Sequence, residues 1–160
     1  MGISFFADSS FLIGLFDDKD NFHAEANNIL TELLNSGLLS NPLELYVSNY
    51  IIAEVFHRLQ EKIGFNRTSQ IYEELKRYRL YHVKQKDVDN AILTKLRPFC
   101  NKTTGNPKFG LIDATSLEIM NKFNIHYIIA DDDGFDGLPF CKRIGCVSHI
   151  KEKIPDHYFK

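Results

Sequence analysis

An α/β fold in three layers, with helices on both faces of a central parallel sheet, is predicted by three observations. Short apolar runs alternate along the chain with longer segments of helical periodicity. Two of those runs end in aspartate, in "ISFFADSS" and "YIIADDDG". The chain has 160 residues, 44% of them hydrophobic, which suits one full core and not two. Strands separated by helices imply βαβ units, whose sheets are parallel and covered on both faces.

The elements follow in order. Residues 3–7 are apolar and aromatic and read as a buried strand. After Asp8 come Ser9 and Ser10, any of which suits the N-cap of a helix starting there. Residues 21–34 place Phe22, Ala26, Ile29, Leu30 and Leu33 on one helical face, and Gly37 and Pro42 mark a turn over 35–42. Residues 45–47 form a second strand, with Ser48 and Asn49 as cap candidates. A helix over 50–63 has Ile51, Ile52, Val55, Phe56 and Leu59 apolar and stops at Gly64. A helix over 68–77 leads to a strand over 80–83, then a helix over 87–96 halted by Pro98. A polar loop over 101–108 precedes a helix over 112–123. Strands over 127–130 and 144–147 complete a single domain, residues 1–150, and residues 151–160 read as a charged C-terminal tail.

Composition narrows the function classes. No basic leader with an apolar centre opens the chain and no run is long enough to span a membrane, so a cytoplasmic protein without a membrane partner is expected. Three cysteines, Cys100, Cys141 and Cys146, lack C-x-x-C spacing, which argues against a zinc site or a disulfide framework. The six histidines are scattered without metal-ligand spacing. The net charge of −2 is not that of a general polyanion binder. With four of the 21 acids assigned to metal, however, 17 remain against 19 basic residues, and the rest of the surface is mildly basic.

Four acids stand where an apolar pattern does not call for one. Asp8 follows the first strand, Glu54 lies in "SNYIIAEVFHRL", Asp113 in "FGLIDATSLEIM", and Asp131, Asp132 and Asp133 close "YIIADDD". Each has a plain alternative: Asp8 as a helix cap, Glu54 paired with Arg58 at i+4, Asp113 as a partner of the helix dipole, the triplet as a surface turn. All four positions nevertheless fall at strand ends or helix starts, which share one rim of a parallel sheet and form its ligand-binding edge. Carboxylates gathered there repel one another unless a cation neutralises them, and hard cations such as Mg²⁺ or Mn²⁺ take oxygen ligands. Such a cluster suits phosphodiester hydrolysis.

The segments "FFADSSFLIGLF", "SNYIIAEVFHRL", "LIDATSLEIM" and "IIADDDGFDGL" resemble, in order and on the expected elements, the motifs of PIN domains. The resemblance spans nearly the whole chain. It implies a metal-dependent nuclease, in most such proteins a ribonuclease, with a parallel sheet between helices. Many small members are VapC-type toxins paired with an antitoxin. It also implies that Asp8, Glu54, Asp113 and Asp132 form the acidic cluster that binds metal and catalyses. Asp132 matches because Phe135 follows it by three, as in T-x-D-x-x-F. The sequence departs from that pattern at Ala130, where Thr or Ser is usual, so a hydroxyl able to orient Asp132 is missing and Asp131 competes as the fourth acid.

Toward substrate, Ser9 suits a polar contact beside the acids, and Lys102 and Lys108 flank the loop before Asp113 where RNA phosphates would lie. Basic residues also gather in "ELKRYRLYHVKQK", read either as a solvated helix end or as a phosphate-tracking patch with Tyr78 or Tyr81 to stack on a base. A homodimer through Phe16, Leu33 and Leu34 is expected. Two rival functions stand beside the ribonuclease. One is a catalytically weak or inactive PIN-like module for RNA binding or assembly, motivated by Ala130. The other is a phosphoacceptor receiver domain, which needs an acceptor Asp ending a strand near residue 50, where this chain has Glu54 inside an apolar helix.

Overall fold

The computed structural model describes residues 2–160. Five strands form one parallel sheet: β1 (Phe5–Ala7), β2 (Tyr46–Ser48), β3 (Arg79–Tyr81), β4 (Tyr127–Ile129) and β5 (Lys142–Ile144), in the order β3-β2-β1-β4-β5. Phe5, Phe6 and Ala7 are fully buried, as a central strand covered on both faces requires. They pair in register with Tyr127, Ile128 and Ile129, and Phe6 pairs with Tyr46 on the other side. The edge strands carry the charge: Arg79 opens β3 and Lys142 opens β5, both exposed.

Among the described residues, seven α-helices cover the sheet: α1 (Ser9–Phe16), α2 (His23–Asn35), α3 (Asn49–Ile63), α4 (Phe65–Leu75), α5 (Gln85–Ala91), α6 (Leu111–Lys122) and α7 (Val147–Lys153). One packed group holds α1, α2, α3, α4 and α7, and α5 packs with α6. Right-handed crossovers place connections running outward from β1 to β3 on one face and the return from β3 to β4 on the other. The chain therefore reverses direction between β1 and β4, and a crevice opens beyond their carboxyl ends. The Asp8 N–H donates to the Ile129 carbonyl at 3.0 Å and closes the base of that crevice.

The predicted class is the observed one, with local differences. α4 starts at Phe65, not 68, because Gly64, at φ +83°, turns the chain directly from α3 into α4. The helix expected over 87–96 ends at Ala91 and relaxes into a π-type turn over Ile92–Leu96 ahead of Pro98. The last strand is Lys142–Ile144, and Val147, expected within it, opens α7. Residues 151–160, expected as a charged tail, finish α7 and lie back on the core: Ile154 is 2% exposed, Tyr158 and Phe159 pack against the core, and the Lys160 N–H reaches the Ser36 carbonyl. Leu33, expected to serve self-association, is fully buried in the core, and Phe16 and Leu34 are partly buried against it. Among the described residues, no helix is long and apolar enough to cross a membrane.

Candidate active site

Asp8 does two things at once. Its Oδ2 caps α1, accepting from the Ser10 N–H at 3.1 Å and from the Ser10 hydroxyl at 2.6 Å. Its Oδ1 is buried and has no hydrogen-bond partner. A buried acceptor without a partner is costly. The carboxyl is accordingly pushed up to about 6, chiefly by burial; the Ser10 hydrogen bonds oppose this, and the charges of Glu54 and Asp132 add to it. The cap reading and the site reading of Asp8 thus describe its two oxygens.

The other three acids reach the same rim from three elements. Glu54 lies in the second turn of α3, which starts where β2 ends, and its Oε1 is 3.4 Å from Arg58 Nη2. Asp113 sits in the first turn of α6, and its Oδ2 accepts from the Gly110 N–H at 3.2 Å. Burial first, then the charge of Asp8, and more weakly those of Asp132 and Glu54, raise Asp113 to about 7 against the opposing Gly110 bond. Asp132 follows β4 and accepts at Oδ1 from the Gly134 N–H at 2.8 Å. The triplet divides by direction. Asp132 acts on Asp8 and Asp113, whereas Asp131 and Asp133 act on Arg143. All three lie beyond β4, where the chain bends and then enters a 3-10 turn over Asp133–Phe135, so the turn and not strand alternation separates them.

The four carboxylates therefore lie within electrostatic reach of one another. Among the described residues, no group of three or more His, Cys, Asp or Glu is set to hold a metal ion as it stands. Glu54, Asp113 and Asp132 each have a partner of their own. Drawing Glu54 off Arg58 breaks an exposed i,i+4 pair worth about 0.3–0.5 kcal/mol, a small cost beside neutralising a buried carboxylate. The donor set is all oxygen and anionic, and the free Asp8 Oδ1 supplies a buried lone pair, so these residues fit a hard divalent cation.

Ser9, expected to face substrate, is 7% exposed in the first turn of α1. The hydroxyl that joins the acidic segments belongs to Ser10, which donates to Asp8 and accepts from the Asp131 N–H at 3.0 Å. The D-x-S spacing of a capped helix was its only signal in the sequence. Lys102 is exposed in the 101–108 loop, and Lys108 Nζ donates to the Asp136 carbonyl at 2.7 Å, tying that loop to the segment after β4. The second basic cluster is not arranged for stacking. Tyr78 is 6% exposed, and the Tyr81 ring packs edge-on against Phe123 with its hydroxyl on Asp87. Arg79 lines a cavity with Gly2 and Ile3 at the amino ends of the strands, away from the acids.

The profile of the PIN domain family matches residues 5–140. Among solved structures, the chain is similar to the Mycobacterium tuberculosis toxin VapC20, a Sarcin-Ricin loop cleaving toxin. The TM-score is 0.63 and the identity 21%, covering 81% of this chain and 91% of that one. It is also similar to a chain of a toxin-antitoxin complex from Klebsiella pneumoniae, with TM-score 0.61, identity 16%, and coverage of 87% and 95%. A third likeness is to DNA-bound VapBC from Salmonella typhimurium, with TM-score 0.60, identity 13%, and coverage of 89% and 97%. No curated protein sequence matches the chain.

Proposed function

This chain belongs to the PIN domain family, and from that premise we propose that it is a ribonuclease dependent on Mg²⁺ or Mn²⁺. Asp8, Glu54, Asp113 and Asp132 are its metal-binding and catalytic residues. The observation that carries the reading is the buried, partnerless Asp8 Oδ1 within reach of three further carboxylates at the switch point of the sheet. A bound divalent cation supplies activation of water and neutralisation of the charge that develops on phosphate. Ser10 keeps Asp8 Oδ1 aimed into the crevice by engaging Oδ2. Without metal, burial and the charge of Asp8 raise Asp113 to about 7 and its Oδ1 is left free by Gly110; a bound cation would relieve that cost and favour the carboxylate. Lys102, Lys108 and Ser9 are the residues proposed to contact RNA.

The partners proposed with this reading are RNA, a second copy of the chain and an antitoxin protein. The antitoxin is supported by the toxin-antitoxin complexes among the similar structures. A homodimer would use the exposed Ile92, Leu93 and Leu111 rather than the inward-facing Leu33. One observation favours a second reading, a weak or inactive RNA-binding module: Ala130 is fully buried and brings no hydroxyl to Asp132. Cleavage of RNA by the wild type with Mg²⁺ or Mn²⁺, lost on chelation and in the Asp→Asn and Glu→Gln variants of the four acids, supports the ribonuclease. Tight RNA binding without cleavage by the wild type supports the module.

A further inference from the structure

The segment after β4 carries Asp132 in an exposed stretch, Asp131 to Asp133, between the buried Ala130 and the buried Phe135. Both of its ends are held by one side chain from the neighbouring edge strand. Arg143 Nε and Nη2 donate to Asp136 Oδ1 and Oδ2, each at 2.8 Å, a bidentate charge-assisted pair. Its Nη1 donates to the Ala130 carbonyl at 3.2 Å and to the Asp131 carbonyl at 3.3 Å. The Arg143 side chain is 13% exposed and that of Asp136 45%, so the pair is sheltered on the arginine side and its strength rests on the bidentate geometry. A planar fork is needed for four such contacts, and lysine cannot reproduce it.

Two further features fit the same arrangement. Gly145 lies under the guanidinium: a Cβ there would collide with Arg143 Nη1, would stand 2.8 Å from Cζ, and would crowd the Ala130 carbonyl at 3.3 Å. The chain thus keeps position 145 bare where the fork crosses. The charges of Asp131 and Asp133 also bear on Arg143, which leaves Asp132 as the member of the triplet that bears on Asp8 and Asp113.

We infer that Arg143, seated on Gly145, is a positioning residue that clamps residues 130–136 so that Asp132 faces Asp8 and Asp113. Its consequence for metal rests on the ribonuclease reading; its consequence for the loop does not. Groups that orient metal ligands typically change metal affinity by about 10–100-fold when removed.

The test uses the full chain and three measurements: Mn²⁺ affinity by calorimetry, RNA cleavage, and backbone amide order parameters without metal. Arg143→Gln is expected to weaken Mn²⁺ binding at least tenfold and to drop the order parameters at Asp132–Gly134 from about 0.85 toward 0.6. Those of β1 and β4 should not move. Gly145→Ala, which keeps Arg143 but displaces the fork, should act in the same direction, and the double variant should be no worse than Arg143→Gln alone. In the Asp132→Asn background, Arg143→Gln should cost no further Mn²⁺ affinity. Arg143→Lys should not restore the wild type. Unchanged order parameters in Arg143→Gln overturn the clamp. Losses of affinity that multiply with Asp132→Asn overturn its action through Asp132. A wild type that takes up no Mn²⁺ refutes the metal reading instead, and the order parameters still decide the clamp.

Discussion

Replacing Asp8 by asparagine separates the cost of its charge from its use. In the metal-free protein the Asp8 carboxyl is raised from 3.8 to about 6. At 1.36 kcal/mol per unit, holding it ionised at neutral pH costs roughly 3 kcal/mol. Asparagine keeps the cap to Ser10 and removes that cost. It also sets a buried amide N–H where Oδ1 lacks a partner, at about 1–3 kcal/mol. The net is between about zero and 2 kcal/mol of stabilisation, and a domain of this length gains about 2–4 °C in Tm per kcal/mol. Calorimetric Tm without metal should therefore hold or rise by a few degrees, while RNA cleavage falls nearly to background. The pH dependence has a definite sign. The folded carboxyl binds its proton more tightly than the unfolded one, so its destabilisation grows as pH rises from about 4 through about 6 and is constant above. Below pH 4, where Asp8 is protonated, the variant should be the less stable by about 1–3 kcal/mol, the cost of its buried amide, and the wild type should lose that advantage as pH rises through about 6. Saturating Mn²⁺ should raise the wild-type Tm and leave the variant where it was. A drop of more than about 5 °C in the metal-free variant, or equal stabilisation of both proteins by Mn²⁺, would refute the reasoning.

Other predictions are briefer. Asp132→Asn should lower cleavage and Mn²⁺ affinity together, with Asp131→Asn and Asp133→Asn much milder; damage from Asp131→Asn alone would move the fourth acid by one residue. Ser10→Ala removes the two bonds of its hydroxyl, to Asp8 and from the Asp131 N–H. It should push the Asp8 pKa higher still and destabilise the protein by about 1–3 kcal/mol, measured by NMR titration and urea unfolding. Ala130→Thr places extra atoms at a fully buried position and should cost about 1–3 kcal/mol, so any gain in cleavage from the new hydroxyl would appear against a lower Tm.

The fold class was legible because it depends on local signals. A three-residue strand such as Phe5–Ala7, covered on both faces, must be apolar throughout, and the helices between strands carry their own periodicity. The boundaries that escaped were those set by neighbours. Val147 belongs to a helix because β5 ends at Ile144 and Gly145 must pass beneath Arg143. The charged ending of the chain lies on the core because Ile154 finds a buried place among residues distant in sequence. The four acids could be picked out as misfits in apolar patterns, since burial of a carboxylate is costly wherever it occurs. Which member of the Asp131–Asp133 run turns toward Asp8 depends on the backbone direction after β4 and on Arg143, thirteen residues beyond Ala130. The identity of the bridging serine likewise depended on the distance from Ser10 to the Asp131 N–H, 121 residues away. Composition and periodicity determine which segments seek the core; only the closing of the sheet brings separate carboxylates, their clamp and their bridging hydroxyl to one rim, because those contacts join residues that no local pattern connects.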